Sequence, residues 1–287
     1  MVIKSDPKAQ ADRERDAIRI FMKNLGHRHP DPDFESDACT FSLGDASFLF
    51  STDEFSAEDN FRSHHPATLG WNMAAATMSD ILAAGGIPMF FGHSVTIQYD
   101  WDSHFIGDFS NGIGRCLEAA GASFLGGDLG MADQWKYTGI AIGKKMADLS
   151  RRGAKEGDII YMTGNVGAGN LEAALLLYSD IKLLKPLLDR VNVSFPLRIR
   201  EAGLVRKYAN CCIDSSDGLF RALQDLCRIS RTGFRIDHVP YHPHGKTACR
   251  LLGKPEEILF LGECGYLTIK TQLLHSLQIA IKLLILA

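Results

Sequence analysis

The chain has 287 residues, of which 46% are hydrophobic and 23% are charged, and this composition indicates a globular protein of one large or two medium domains. A formal net charge of −3 gives neither the basic footprint of a nucleic-acid-binding protein nor the polybasic patch of a membrane-surface protein. Seven scattered cysteines without a CxxC spacing predict reduced thiols of a cytoplasmic protein rather than a disulfide framework or a zinc site.

The N-terminal segment predicts a helix followed by a hairpin. Residues 1–12 are polar, and a short amphipathic helix is expected over Ala17–Leu25. Two short strands follow, Ala38–Ser42 and Ala46–Ser51. Asp37 precedes the first strand and Asp53 follows the second, so we expect both carboxylates just outside the strands. A carboxylate at a strand end is well placed to hold a hard cation.

The stretch from Pro66 to Ala84 predicts a helix of small residues that carries a single carboxylate, Asp80. Its alanines let neighbouring backbones come close, Gly85 can take the left-handed cap, and Pro88 cannot continue the helix. An ionised aspartate on such an apolar helix is costly unless a partner neutralises it. Asp80 therefore either caps a turn or pairs with an arginine, or it binds a cation that also holds phosphates. This stretch alone leaves both interpretations open.

The next elements carry a second acidic motif. They are a strand over Met89–Ile97, a helix over Ser103–Ala120 ended by Gly121, and strands over Ala122–Leu125 and Tyr137–Gly143. The third of these elements is followed by Gly126-Gly127-Asp128, which predicts a turn. Its two glycines allow backbone N–H groups to approach a phosphate or a metal-bound water. A plain turn explains the same three residues equally well.

A charged, glycine-containing linker predicts a domain boundary near Ala147, with residues 1–147 in the first domain and 148–287 in a second, shortened one. The elements expected after it are the strands Asp158–Thr163, Cys211–Ile213 and Phe234–Ile236, and the helices Asn170–Tyr178, Leu197–Tyr208, one ending at Ile229, and Gln272–Leu286. The glycine-rich turn Gly164–Gly169 joins a strand to a helix, an arrangement that commonly cradles phosphate.

A third acidic motif, Asp214-Ser215-Ser216-Asp217, follows the strand that ends at Ile213. Ser216 or Asp217 is expected to N-cap the next helix, but capping explains only one of the two acids. The alternation of strands and helices predicts an α/β or α+β protein in two domains. Acids collected from distant positions repel one another unless cations neutralise them. Mg²⁺ with a polyphosphate is the natural occupant of such a cluster.

Taken together, these motifs resemble the aminoimidazole-ribonucleotide synthetase-related superfamily, and within it they are most similar to the thiamine-monophosphate kinase family. The motifs that carry the resemblance are Asp37-Ala38, Ser51-Thr52-Asp53, Ser79–Gly85, Gly126-Gly127-Asp128, Arg152–Asp158 and Ile213–Leu219. The resemblance implies two α/β domains, a homodimer in which N-terminal mixed sheets form a shared barrel, and a C-terminal α/β sandwich.

The resemblance also implies an ATP- and Mg²⁺-dependent phosphotransferase that acts on a small phosphate-bearing substrate, with no nucleic-acid or membrane partner. Its implied metal ligands are Asp37, Asp53, Asp80, Asp128 and Asp214, of which Asp80, Asp128 and Asp214 are the catalytic ones. Its implied nucleotide-binding residues are Thr52, Gly126, Gly127, Ser216 and Asp217. ATP is expected in a cleft at the dimer interface.

The motifs depart from the family pattern at several positions, among them Ser36, Thr77 and Leu129. Three functions therefore stay open from the sequence. The first is the kinase that makes thiamine diphosphate and ADP. The second is a related ATP-dependent enzyme of the cyclo-ligase type with another acceptor, and the third is a nucleotide-binding relative without turnover.

Overall fold

The computed structural model describes residues 7–25, 35–57, 65–167, 185–188, 194–216, 218–261 and 281–286. The described helices are α1 Pro7–Leu25, α2 Pro66–Ala83, α3 Ser103–Ala120, α4 Lys185–Leu188, α5 Ile199–Tyr208, α6 Leu219–Ser230, α7 Pro243–Leu251 and α8 Ile258–Leu261. The strands are β1 Cys39–Leu43, β2 Ala46–Ser56, β3 Gly86–Gln98, β4 Ser123–Ala132, β5 Lys136–Lys145, β6 Asp158–Thr163, β7 Cys212–Asp214 and β8 Ile281–Leu286. In these ranges no helix combines the length and apolar character needed to cross a membrane.

The first sheet is mixed and contains five strands in the order β1-β2-β5-β3-β4. Strands β3 and β4 run parallel and are joined through α3, whereas the other neighbouring pairs are antiparallel. This mixed sheet with its helices confirms the α+β prediction. The barrel that the resemblance implies across a dimer stays a prediction.

Helix α2 packs on this sheet, and α3 packs on α2. The two helices touch through glycines, because a Cβ added to Gly70 would lie 2.0 Å from the Phe109 carbonyl oxygen, and one added to Gly112 would lie 1.9 Å from that of Ala67. The core between helices and sheet includes Met73, Met78 and the other apolar residues of this cluster. Small residues thus allow the close backbone approach that the sequence predicts for α2.

The two faces of the first sheet differ in environment, as strand β2 shows. Ser51 and Phe55 are buried on the face that α2 covers, whereas Thr52 and Glu54 on the other face are exposed. Successive side chains of a strand point to opposite faces. Strand β5 shows the same alternation, whereas edge strand β4 is exposed on both faces.

The second sheet is parallel, with β8 between β6 and β7. A small apolar cluster connects it to the first sheet: Leu82 and Ala83 at the end of α2 pack with Leu149, with Ala202 and Val205 of α5, and with Cys212 of β7. The end of α2 that carries Asp80 therefore lies at the junction of the two sheets. The predicted division into two domains at Ala147 stays a prediction.

Several predicted elements are wrong in the structure. Helix α1 begins at Pro7 rather than at Ala17, because the polar residues before Ala17 have sufficient helix propensity. The segment 234–236 forms no strand, and residues 281–286 form strand β8 instead of the end of a helix. The helix predicted over 170–178 lies outside the described residues.

Candidate active site

Asp80 lies in the last turn of α2 and turns towards β2. The Ser51 hydroxyl donates a hydrogen bond of 2.5 Å to its Oδ2. Ser51 is itself buried, so the hydroxyl and the carboxylate meet away from bulk water. Asp80 is therefore a partly buried acid, and its partner inside the first sheet is a hydroxyl, which leaves its charge uncompensated.

Asp37, just before β1, has a side chain that is 1% exposed. Arg151 donates from Nε and Nη2 to its Oδ1, at 2.9 and 2.5 Å. The Asp214 backbone N–H donates to its Oδ2 at 3.3 Å. These contacts fasten the segment before β1 to the end of β7, although the two are 177 residues apart in the chain.

Three carboxylates converge at this point. One oxygen from each of Asp37, Asp80 and Asp214 lies within 4.8 Å of the other two. They are supplied by the segment before β1, by the end of α2 and by the last residue of β7. Oxygen ligands of Mg²⁺ lie about 2.0–2.1 Å from the ion, so ligand oxygens of one octahedron are about 3–4 Å apart. The three carboxylates therefore fit a shared divalent cation.

The electrostatics of the cluster also favour a cation. Burial raises the pKa of Asp80 well above its ordinary value, and the neighbouring charges of Asp214, Asp53 and Asp37 raise it further, against the Ser51 hydrogen bond. Burial also raises the pKa of Asp37, although Arg151 opposes the shift. Carboxylates in this environment need a proton, a cationic side chain or a metal ion to lie together.

Asp53 is the fourth acid of this neighbourhood, since its charge acts on Asp80. The expectation that it follows a strand end is wrong, because β2 continues to Ser56 by pairing with β5. Asp53 stands opposite Gly139 and, like Ser51 two residues earlier, faces α2. Asp53 thus lies inside a strand rather than after one, and its metal-binding role stays a prediction.

Asp128 is not among the three converging carboxylates. It lies inside β4 rather than in a turn, and it is exposed. Its row across the sheet contains Ser94, Thr138 and Glu54, on the face away from α2. Strand β4 is three strands from β2, or roughly 14 Å at about 4.8 Å per strand. Its metal-binding role stays a prediction.

The two glycines before Asp128 are required for different structural reasons. Gly126 adopts φ +124°, which few other residues take. A Cβ on Gly127 would lie 2.2 Å from the His93 carbonyl oxygen and 2.5 Å from its ring carbon Cδ2. Gly127 is thus needed for packing against β3, and contact of either glycine with a nucleotide stays a prediction.

The remaining predicted residues are less close to the cluster. Thr52 is exposed on the face away from α2. The Ser216 hydroxyl lies 3.4 Å from Asp214 Oδ1. The expected N-cap is wrong for Ser216, because Gly218 caps α6, with φ +94° and no side-chain hydrogen bond. Asp217 lies outside the described residues.

Arg151 is the residue that sequence reasoning missed. The signal was present in two forms: the arginine adjoins the Arg152–Asp158 motif, and a buried acid calls for a cationic partner. The sequence allows an arginine partner for Asp80, but the structure gives that partner to Asp37. Neighbouring Arg152 pairs with Glu35, outside the cluster of three.

Comparison with known proteins agrees with this fold. The family "AIR synthase related protein, N-terminal domain" matches residues 35–144. A crystal structure of thiamine monophosphate kinase from Aquifex aeolicus superposes with a TM-score of 0.74 at 22% identity, covering 95% of this chain and 97% of that one. A solved complex of AaThiL with AMPPCP and TMP gives 0.74 at 24% identity over 87% and 82%. Residues 35–144 thus match this family, and the chain shares the fold of these two structures.

Sequence relatives define the family more narrowly. Thiamine-monophosphate kinase of Methanospirillum hungatei JF-1 is 30% identical over 237 residues, which cover 80% of this chain and 77% of the relative. The Archaeoglobus fulgidus protein of the same name is 27% identical over 209 residues, covering 72% and 69%. The chain belongs to the thiamine-monophosphate kinase family.

Proposed function

We propose that this protein transfers the γ-phosphoryl group of ATP to thiamine monophosphate, giving thiamine diphosphate and ADP. The observation that carries the proposal is the convergence of Asp37, Asp80 and Asp214 within 4.8 Å at the junction of the two sheets. A related solved complex contains AMPPCP and TMP, which supports a nucleotide and a thiamine phosphate as the two substrates.

Phosphoryl transfer requires positioning of the reactants and neutralisation of charge rather than a protein nucleophile. Bound Mg²⁺ would supply that neutralisation and orient the phosphates. Asp37, Asp80 and Asp214 would hold it, with Asp53 close by as a further ligand. Ser51 fixes the Asp80 carboxylate, while Arg151 and the Asp214 N–H fix that of Asp37. The acceptor is a phosphate oxygen that attacks the γ-phosphorus in line with the departing ADP.

A kinase assay with purified protein, ATP, Mg²⁺ and thiamine monophosphate tests the proposal, with thiamine diphosphate and ADP both quantified. Asp80→Asn and Asp214→Asn should each lower kcat by at least about 100-fold, because each removes a ligand charge. Asp45→Asn is the matched control, since Asp45 lies exposed in the turn between β1 and β2. Its activity should equal that of the wild type.

The same assay separates the alternatives. Release of inorganic phosphate without thiamine diphosphate would favour a cyclo-ligase type of reaction. Calorimetric binding of ATP without any product would favour a nucleotide-binding relative. Either result, or unchanged turnover in Asp80→Asn, contradicts the kinase proposal.

We also propose that the protein acts as a homodimer through the edge of its first sheet. Strand β4 ends that sheet and exposes four large apolar side chains: Phe124 at 49%, Leu125 at 64%, Leu129 at 60% and Met131 at 54%. An exposed apolar edge strand is a pairing surface for another chain. With ATP at the interface, Asp128, Thr52, Gly126 and Gly127 would join the nucleotide site in the assembled dimer.

Sedimentation velocity tests the dimer. Met131→Glu should shift the protein to the monomer, whereas Leu251→Glu, at an exposed apolar position of α7, should not. A wild-type monomer at micromolar concentration contradicts this proposal. The free thiols of the six described cysteines support the further proposal of a cytoplasmic location.

A further inference from the structure

Arg151 stands among the acids of the candidate site rather than at its edge. Its side chain is 25% exposed, and its guanidinium donates twice to Asp37 Oδ1. Burial alone would lower the pKa of Arg151, but the charges of Asp37, Asp214 and Asp225 together raise it. The guanidinium thus neutralises Asp37 directly, and Asp214 lies next to that pair, because its backbone N–H donates to Asp37 Oδ2 and its carboxylate lies within 4.8 Å of that of Asp37.

Asp225 is paired with two other arginines. Arg221 donates from Nε to its Oδ2 at 3.2 Å, and Arg228 donates from Nε and Nη2 to its Oδ1 at 3.3 and 3.2 Å. Asp225 therefore places little demand on Arg151. The positive charge of Arg151 therefore acts mainly on Asp37 and Asp214. It neutralises carboxylates that a bound cation would otherwise neutralise.

A single hydroxyl anchors the backbone that carries Arg151. Ser230, the last residue of α6, accepts hydrogen bonds from the N–H groups of Gly153 and Ala154, both at 3.2 Å. Its Oγ donates to the Arg151 carbonyl oxygen at 3.3 Å. One donor and two acceptor sites are all that a serine hydroxyl offers, so these three contacts saturate it.

Two other contacts leave this segment little freedom. The Arg151 N–H donates to the Glu35 carbonyl oxygen at 2.5 Å, two residues before Asp37. A Cβ on Gly153, whose φ is +131°, would lie 2.6 Å from the Asn210 carbonyl oxygen. The position of the guanidinium is therefore determined by backbone contacts on both sides, with Ser230 providing the link to α6.

We propose that Arg151 is a built-in counter-ion that neutralises the carboxylate cluster while no metal is bound, and that Ser230 is the positioning residue that holds it there. This inference rests on the proposed cation site. It goes beyond that site by naming what keeps the acids together before the cation arrives.

The proposal has a consequence that a simple structural ion pair does not share. Without the guanidinium, the acids repel one another, so the metal-free fold loses stability. The same change removes a positive charge a few ångströms from the incoming cation, so Mg²⁺ binds more tightly. At a partly exposed site, a unit charge at that distance changes the affinity of a divalent ion by about tenfold or more.

Thermal unfolding with and without Mg²⁺, together with calorimetric titration of Mg²⁺ alone, tests the proposal in the full chain. Arg151→Gln should melt below the wild type without Mg²⁺, show a larger Mg²⁺-induced rise in Tm, and bind Mg²⁺ about tenfold more tightly. Arg152→Gln is the matched control: it removes the neighbouring arginine, whose partner is Glu35. It should leave the Mg²⁺ response unchanged.

Ser230→Ala should shift Mg²⁺ affinity in the same direction by a smaller factor, and Ser230→Thr should restore it by keeping a hydroxyl. The double variant with Arg151→Gln should bind Mg²⁺ no more tightly than Arg151→Gln alone, because both changes act through one guanidinium. A Ser230→Ala protein with lowered Tm but wild-type Mg²⁺ affinity would overturn the positioning role.

The two levels of the proposal fail differently. If Mg²⁺ neither binds nor stabilises the wild type, the cation site itself is refuted. If the wild type responds but Arg151→Gln responds no more than Arg152→Gln, only the counter-ion inference is refuted. Arg151→Gln could fail to fold both with and without Mg²⁺. In that case Ser230→Ala, which keeps the arginine, tests the counter-ion inference when its Mg²⁺ response is compared with that of Arg152→Gln.

Discussion

The contact between α2 and α3 gives a prediction that links packing to the candidate site. A Cβ built on Gly112 lies 1.9 Å from the Ala67 carbonyl oxygen and 2.7 Å from its carbonyl carbon, and real Cβ contacts essentially never fall below 3.0 Å. Because the opposing atoms belong to the backbone, no rotamer change relieves the clash in Gly112→Ala. The two helices must move apart by about 1 Å.

Overpacking of this kind destabilises a core by about 1–3 kcal/mol or more. The greater helix propensity of alanine returns about 0.5–1 kcal/mol. A net loss of about 1–2 kcal/mol corresponds to a fall in Tm of roughly 2–3 °C, because the entropy of unfolding is about 2.1 cal/mol/K per residue in a chain of 287 residues. Since α2 also carries Asp80, the displacement should weaken its contact with Ser51 and lower kcat.

Differential scanning calorimetry and the kinase assay check both effects. Gly114→Ala is the control on the same helix, because Gly114 is exposed and its Cβ would meet nothing within 4 Å. It should stabilise the protein by about 0.5–1 kcal/mol through helix propensity alone. A Gly112→Ala protein as stable as Gly114→Ala would refute the close helix contact.

Three further predictions concern single side chains. Without Mg²⁺, Asp80→Asn should melt above the wild type, because burial and neighbouring acids disfavour the carboxylate while the amide oxygen still accepts from Ser51. The variant should also lose the Mg²⁺-induced rise in Tm. A Tm below that of the wild type without Mg²⁺ would contradict this prediction. Burial lowers the pKa of His93 below 6.5, so the wild type should lose stability as the pH falls from about 6.5 through the folded-state pKa. Urea unfolding at pH 7.5 and 5.0 should therefore show a smaller loss of stability at the lower pH in His93→Gln than in the wild type. Asp102→Ala should cost about 1 kcal/mol at unchanged kcat, since its carboxylate caps α3 by accepting the Phe105 N–H at 2.7 Å; full stability of this variant would argue against the cap.

Elements with strong local signals are those that the sequence predicted well. Helix α3 spans Ser103–Ala120 as expected, and Gly121 ends it at φ +67°. The glycine after α2, Gly85, has φ +82°, as the expected left-handed cap requires. Strand β6 also has its predicted bounds. Caps, glycines and periodicity act within a few residues, so they can be recognised along the chain.

Elements that depend on distant partners could not be bounded in the same way. Strand β2 extends past Asp53 because β5 pairs with it as far as Ser56 opposite Lys136. Strand β8 is a mostly apolar run, interrupted by Lys282, between two parallel neighbours, and such a run resembles a helix when periodicity alone is considered.

The sequence predicted the acids that converge, but not the geometry in which they meet. Acids near strand ends pointed to Asp37 and Asp214, and the lone carboxylate on an apolar helix pointed to Asp80; the structure brings the three together. The face on which Asp128 lies follows from the register of β3 and β4, and a shift of one residue would reverse it. Arg151 was missed because its partner, Asp37, is 114 residues away in the chain.

The central claim is that Asp37, Asp80 and Asp214 share a divalent cation that also contacts ATP phosphates. Anomalous diffraction from crystals grown with Mn²⁺ and a non-hydrolysable ATP analogue tests it most directly. We expect an anomalous peak about 2.0–2.3 Å from an oxygen of each of the three carboxylates and next to a phosphate oxygen. A bound nucleotide whose metal ions all lie away from these three side chains would contradict the claim.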